Sequence, residues 1–182
     1  QIIDRLGTDG LRLWVASIGN DGDAVVSDTL LTNVEQVLRK IRNTCRFLLQ
    51  NLYDYDHAQH AVDIKQVRPL DRYALRQLYL LQEKVIEAYK QGDLTAIFHM
   101  MGDYCAVEIS AFYGDIAKDC LYCDATNGHK RRSTQTAFYH ILDAITHLIA
   151  PIMSFTAEQV SDFYQKNKTA SIHLQTFVDL DF

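Results

Sequence analysis

Apolar positions recur at three- and four-residue spacing over most of this chain, as they do in helices that bury one face. The longest such stretch covers residues 27–53. Val34, Val37, Leu38, Ile41, Cys45, Leu48, Leu49 and Leu52 form its apolar stripe. At about 100° per residue, Arg39, Arg42, Asn43 and Arg46 gather on the opposite side, with Lys40 on their flank. Ser27 is placed to cap the first free amides, and Asp28 suits the positive end of the helix dipole. The pattern predicts a long helix, apolar behind and cationic in front.

The remaining elements follow from the same periodicity and from breakers. Residues 1–17 read as helical turns interrupted at Gly7 and Gly10, with Thr8 or Asp9 as cap of the second piece; residues 19–23 read as a loop. Pro69 biases the residue before it away from helix, so a new element starts near Leu70, with Asp71 as its N-cap and Ala74, Leu75, Leu78, Leu81, Val85, Ile86 and Tyr89 facing inward. Gly92 is placed to end that helix and Asp93 to begin the next. The third long helix carries Leu94, Ile97, Phe98, Met101, Cys105, Ile109, Phe112 and Ile116 as its stripe and fades over residues 121–124. A fourth, from about Ser133 to Ala150, buries Phe138, Ile141, Leu142, Ile145, Leu148 and Ile149. Pro151 stops it. Thr156 to Gln159 has the capping-box pattern of a further short helix, and residues 171–178 read as extended. Long amphipathic helices on short connections predict an all-α antiparallel helical bundle with a short extended C-terminal tail.

Composition changes this picture little. The chain has 182 residues, enough for one domain with a sizeable core. Apolar content of 48% with 23% charged residues is that of an ordinary globular protein. No apolar run approaches the roughly 20 residues that span a bilayer, so no membrane partner is expected. The chain opens on Gln1 rather than Met, which reads as a piece of something larger or a processed product. Net charge is −5, so nucleic-acid binding requires a local basic patch on an acidic body. Cys45, Cys105, Cys120 and Cys123 show no disulfide-framework spacing, and reduced thiols in a cytoplasmic protein are expected.

Candidate chemistry is sparse. Cys120 and Cys123 have the spacing of half a zinc knuckle, but no second pair follows to complete four ligands. The histidines are scattered; His140 and His147, seven apart, share a helix face without a nucleophile beside them. No glycine-rich phosphate loop is present. The residues therefore point to no catalytic site and no metal site. Two readings of the cationic face compete: a solvated surface of long side chains, or a face that contacts phosphates and bases through bidentate guanidiniums and an Asn amide. Lys118 and the His129–Arg132 cluster are the other basic features that might join it. Helix N-termini attract phosphate, which adds to the case for Arg131 and Arg132. Tyr53, Tyr55 and Tyr122 lie near helix ends, where an exposed ring can stack on a splayed base.

The words of the chain say more than its periodicity. RKIRNTCRFLLQNL at 39–52 closely resembles the helix that opens the anticodon-binding domain of isoleucyl-tRNA synthetases. GTDGLRLWVAS at 7–17, LDRYAL at 70–75, SAFYGDIAKD at 110–119, LYCD at 121–124, RRSTQTAFYHIL at 131–142 and PIMSFTAE at 151–158 keep the family's order and spacing. The valine and leucine enzymes share the bundle, whereas RKIRNT and LYCD look more like the isoleucine enzyme. One departure is Cys120, where many relatives are expected to carry arginine.

The resemblance implies the anticodon-binding bundle of a class I synthetase that attaches isoleucine to its tRNA with ATP. Residues 1–26 would be a connector after the catalytic core, 27–170 the bundle, and 171–182 a tail leading to a downstream region. The family's HIGH and KMSKS words are absent, so this piece alone is expected to be inactive. ATP with magnesium, and the zinc that many relatives bind further downstream, are expected outside it, with no cofactor within. Partners would be isoleucine tRNA, through its anticodon stem-loop, and the catalytic domain of the same chain. The expected contacts are Arg39, Lys40, Arg42, Asn43, Arg46, Lys118, Arg131 and Arg132, with a structural ion pair as the alternative role of Arg42. A bundle that binds a protein partner, or the same module from a valine or leucine enzyme, are the competing readings.

Overall fold

A computed structural model describes residues 2–19, 27–166, 168 and 170–180 of the chain. Its elements are α1 (Ile2–Ile18), α2 (Asp28–Asn51), α3 (His57–His60), α4 (Pro69–Gln91), α5 (Leu94–Asp103), a π-helical segment (Tyr104–Tyr113), α6 (Gly114–Cys123), α7 (His129–Ile149), α8 (Ser154–Tyr164) and a 3₁₀ turn (Ile172–Leu174). The described residues contain no strand, so the fold is all-α. Most of the loop expected at 19–23 lies outside the described residues.

The central helix is α7, buried on nearly every side from Arg131 to Ile149. The end of α2 meets the start of α7, where Gln135 Nε2 donates to the Asn51 carbonyl at 2.9 Å. The two helices are thus antiparallel. α4 instead runs alongside α7 in the same direction: Ser133 Oγ donates to Asp71 at 2.6 Å near one end, and Tyr89 Oη to the Leu148 carbonyl at 2.7 Å near the other. The rod formed by α5, the π segment and α6 packs between α2 and α4, leaving those two on opposite flanks.

Local signals account for most element ends. Ser27 accepts from Leu30 N at 3.2 Å, Asp93 accepts from Ala96 N at 2.9 Å, and Gly92 closes α4 in the left-handed region at φ 73°. Gly7, at φ 69° and ψ 178°, kinks α1 between its two pieces.

Three expectations are corrected. Asp71 is not an N-cap. α4 begins at Pro69, and the Asp71 carboxylate points inward, fully buried, accepting from Arg68, Tyr113, Ser133 and Thr134. Thr156 lies inside the first turn of α8 rather than before it. Phe112 and Ile116 face solvent, at 41% and 48% exposure, while Tyr113 and Ala117 take the inward positions.

The last shift follows from the π segment. Its bonds reach one residue further than those of an α-helix, as when Gly114 N donates to the Ile109 carbonyl, so the inward face slips along the sequence. The wide turn is held by the Cys105 carbonyl, which accepts from Ser110 Oγ at 2.7 Å and from Thr44 Oγ1 of α2 at 3.2 Å. It closes on Gly114, where a Cβ would stand 2.5 Å from the Ile109 carbonyl oxygen and 2.9 Å from the Phe47 ring. The tail also differs from expectation, folding into the 3₁₀ turn before running on irregularly.

Candidate nucleic-acid interface

Residues 39–46 put the two faces of α2 where the periodicity places them. Ile41, Thr44 and Cys45 are buried, and Arg39, Lys40, Arg42, Asn43 and Arg46 are exposed. Arg39 Nη2 donates to Glu35 Oε1 at 2.9 Å, and Glu35 is shared with Arg5 of α1 at 3.3 Å. Lys40, Arg42 and Arg46 have no acid partner among the described residues. The alternative role of Arg42, as a structural guanidinium paired to a neighbouring helix, is therefore not realised.

Opposite this face stands α8, and between them lies a groove of about 810 Å³ bordered by Arg42, Asn43, Arg46, Gln159 and Phe163. Its second wall is positioned by α1. Asp9 accepts from Phe155 N at 3.2 Å and from Thr156 N and Oγ1, each at 2.6 Å, so it caps α8 from a distant part of the chain. Arg12 donates to the Pro151 and Ile152 carbonyls at 2.7 and 2.8 Å, fixing the turn that leads into α8.

Past Leu49 and Phe163 the groove continues into a second cleft of about 790 Å³ at the end of α2. Aromatic groups dominate it. Tyr53 and Phe163 are exposed at its rim, at 78% and 69%, and His57 is stacked on Tyr139 with ring centres 4.2 Å apart. Of the tyrosines expected near helix ends, Tyr53 and Tyr122 are exposed, whereas Tyr55 is buried and bonded to Thr136. Phe163 belongs to the apolar pattern of the short α8, which the sequence reads as core and not as a contact surface. A cationic strip that runs into exposed rings has the two components used to hold single-stranded nucleic acid, phosphate neutralisation and base stacking.

The other basic candidates sit elsewhere. Lys118 is exposed on α6, away from the groove, with Nζ 2.8 Å from Asp115. Arg131 and Arg132 are each only 6% exposed. Arg131 grips Asp54 bidentately at 2.6 and 2.9 Å; Arg132 donates to the Asp54 carbonyl at 3.0 Å, Gln135 at 2.8 Å and Asn127 at 2.7 Å. Their charge locks the end of α2 to the start of α7, which is a correction to their expected place on an RNA-facing surface. The carboxyl of Asp54 is held below its ordinary range; burial opposes this, and its bonds to Arg131 and Gln135 outweigh it.

Cys120 is buried, its thiol 3.2 Å from Asp124, while Cys123 is exposed; no cluster of metal-ligating side chains occurs among the described residues. His147 bonds the Asp143 carbonyl at 2.8 Å and Gln175 at 3.1 Å, a packing arrangement with no nucleophile. No described helix is long and apolar enough to cross a membrane.

Burial, with neighbouring His57 second, pushes His140 down to about 4. The unfolded chain takes up this proton near pH 6.5, whereas the native state resists until about pH 4, so stability falls as pH drops between the two. Urea unfolding is expected to lose about 2 kcal/mol between pH 7 and pH 5 from this group, and His140→Gln is expected to flatten that dependence.

A helical bundle that presents an unneutralised cationic face beside an aromatic cleft defines, at the level of class, a module for an anionic, ring-bearing partner. The chain belongs to the family described as the anticodon-binding domain of tRNA ligase, whose model matches residues 71–182. It is 43% identical to the isoleucine–tRNA ligase of Carboxydothermus hydrogenoformans over 96% of this chain, and 48% identical to that of Bacillus cytotoxicus over 88%. The enzyme of the same name from Geobacillus thermodenitrificans is 45% identical over 92%. The chain spans 17–19% of the length of these three relatives. The resemblance read from the sequence is thereby borne out.

Proposed function

We propose that this bundle recognises the anticodon stem-loop of isoleucine tRNA on behalf of an isoleucine–tRNA ligase. The observation that carries the reading is that Arg42, Asn43 and Arg46, exposed and without an acid partner among the described residues, line a groove that ends in exposed rings, with Lys40 exposed on their flank. Cations neutralise stem phosphates and release their counterions, Asn43 and neighbouring guanidiniums bond base edges, and Tyr53 or Phe163 stacks on an unpaired base. Lys118 contributes at most a peripheral phosphate contact. The relatives' name supports isoleucine as the amino acid, and ATP is proposed with it as the energy source. That chemistry, with its magnesium and any downstream zinc, belongs to parts of the parent enzyme outside these residues, and the catalytic domain of the same chain is this bundle's other partner.

The test is competition between isoleucine and valine tRNAs for the bundle across a salt series. Preferential binding of isoleucine tRNA, falling linearly on a log–log salt plot, is the expected result. Equal binding of both tRNAs would remove the amino-acid assignment. Binding of neither, with the bundle shown to be folded, would sink the reading and favour a protein-interaction role.

A further inference from the structure

On the flank opposite α2, helix α4 and the 61–68 connection enclose a cleft of about 510 Å³. Its floor is apolar, with Leu75 buried and Ile64 and Tyr79 half-buried, and its rim carries three exposed cations, Lys65, Arg72 and Arg76. None of the three has an acid partner among the described residues. The adjacent Asp63 carboxylate is engaged by the backbone, accepting from Lys65 N at 2.8 Å.

The cleft has a built shape. Arg72 Nη2 donates to the Lys65 carbonyl at 2.8 Å and so ties the helix to the loop. The loop itself is anchored on α7, by Val62 N to Thr136 Oγ1 at 3.0 Å and Arg68 N to Ser133 Oγ at 2.9 Å, with Val67 buried between. Arg76 Cζ lies over the Tyr79 ring, 5.0 Å from its centre, so guanidinium and ring together form a platform. The volume falls within the range of about 300–1,000 Å³ that small ligands occupy. An apolar floor under a cationic rim calls for a ligand that is flat and apolar at one end and anionic at the other. Guanidiniums take phosphate oxygens in fork geometry, and bases stack on rings and on guanidinium planes.

We propose that this cleft binds a nucleoside phosphate, its base against Tyr79 and Ile64 and its phosphate between Lys65, Arg72 and Arg76. The ligand arrives either as a free nucleotide or as a nucleotide unit of RNA held by the protein, and the chemistry is the same for both. The site is separate from the α2–α8 groove; its free-nucleotide form does not depend on that groove's assignment, whereas its RNA form rests on the bundle binding tRNA.

The experiment is an NMR titration of the protein with adenosine 5′-monophosphate and, separately, ribose 5-phosphate, repeated on Arg72→Ala/Arg76→Ala. Thermal melts confirm that this exposed double variant is folded. Expected are shifts centred on Ile64, Leu75 and Tyr79, binding of the sugar phosphate about tenfold weaker than that of the nucleotide, and a loss of about tenfold or more in the variant. That outcome assigns a free nucleotide. If the nucleotide does not bind at millimolar concentration, yet the variant weakens tRNA binding and lowers its salt slope, the ligand is carried on RNA. Shifts that map elsewhere, equal binding of nucleotide and sugar phosphate, or binding of nucleotide and tRNA alike indifferent to Arg72 and Arg76 would overturn the proposal.

Discussion

An Arg42→Ala/Arg46→Ala double variant is expected to bind isoleucine tRNA at least about a hundredfold more weakly than the native bundle, at about 1.5 kcal/mol or more per charge-assisted bond. Both guanidiniums are exposed and neither is drawn to an acid among the described residues, so their charge is available to a partner. Because log affinity falls linearly with log salt in proportion to the phosphates neutralised, removing two cations should also flatten the slope by about 1.4–1.8. Arg39→Ala is expected to cost less, since Glu35 already satisfies part of that guanidinium at 2.9 Å. Filter binding or anisotropy at several salt concentrations measures both quantities. Undiminished affinity with an unchanged slope would move the interface away from α2. Urea unfolding should be nearly indifferent to the double substitution, because both side chains are exposed.

The opposite profile is expected of Asp71→Ala, with a loss of about 3–5 kcal/mol in unfolding free energy. Its carboxylate is fully buried and gathers the Arg68 Nε and Nη2 donors at 3.0 and 3.2 Å, Tyr113 Oη at 2.8 Å, Ser133 Oγ at 2.6 Å and Thr134 Oγ1 at 3.2 Å. Removing it leaves a guanidinium without its counter-charge and buried hydroxyls without an acceptor, at the point where α4, the π segment and α7 meet. The phenol of Tyr113 is held well above its usual range by burial and then by the Asp71 charge, so it remains a donor that needs that acceptor. Asp71→Asn keeps an acceptor oxygen and should cost less. Since domains of this size are stable by only about 5–15 kcal/mol, equilibrium urea unfolding should show the difference plainly. A change below about 1 kcal/mol for Asp71→Ala would mean that water or a rearranged partner replaces the carboxylate.

The two aspartates at that end of the bundle show where reading the sequence stopped. Asp71 follows Pro69 at a helix start, and every local rule favours such a residue as a cap. Its inward rotation depends on Ser133 and Tyr113, which lie 62 and 42 positions away. Asp54 sits just past the end of α2, and its grip on Arg131 spans 77 positions. The cleft on α4 was missed for a different reason. Arg68, Arg72 and Arg76 recur every four residues, a signal open to inspection, but the interest of that row depends on the 61–68 connection folding back over it.

Helix α2 is the part the sequence determined by itself: its cap, its length, its buried stripe and its exposed cations all follow from spacing within one element. The end of α4, the start of α5 and the core of α7 were legible in the same way, because caps and apolar periodicity act within a few residues. The family, too, was legible, since ordered words survive whatever packs around them. What only the tertiary structure decided was the fate of each charge. Arg42 and Arg46 are free and Arg131 and Arg132 are buried, although all four sit on helices in basic runs. Burial and ion pairing depend on what a different segment brings to the same place, and here Asp54 reaches α7 while no acid among the described residues reaches Arg42 or Arg46. The slip of the inward face across the π segment has the same origin: Thr44 and Phe47 of α2, and not the spacing within the rod, hold its wide turn against Cys105 and Gly114.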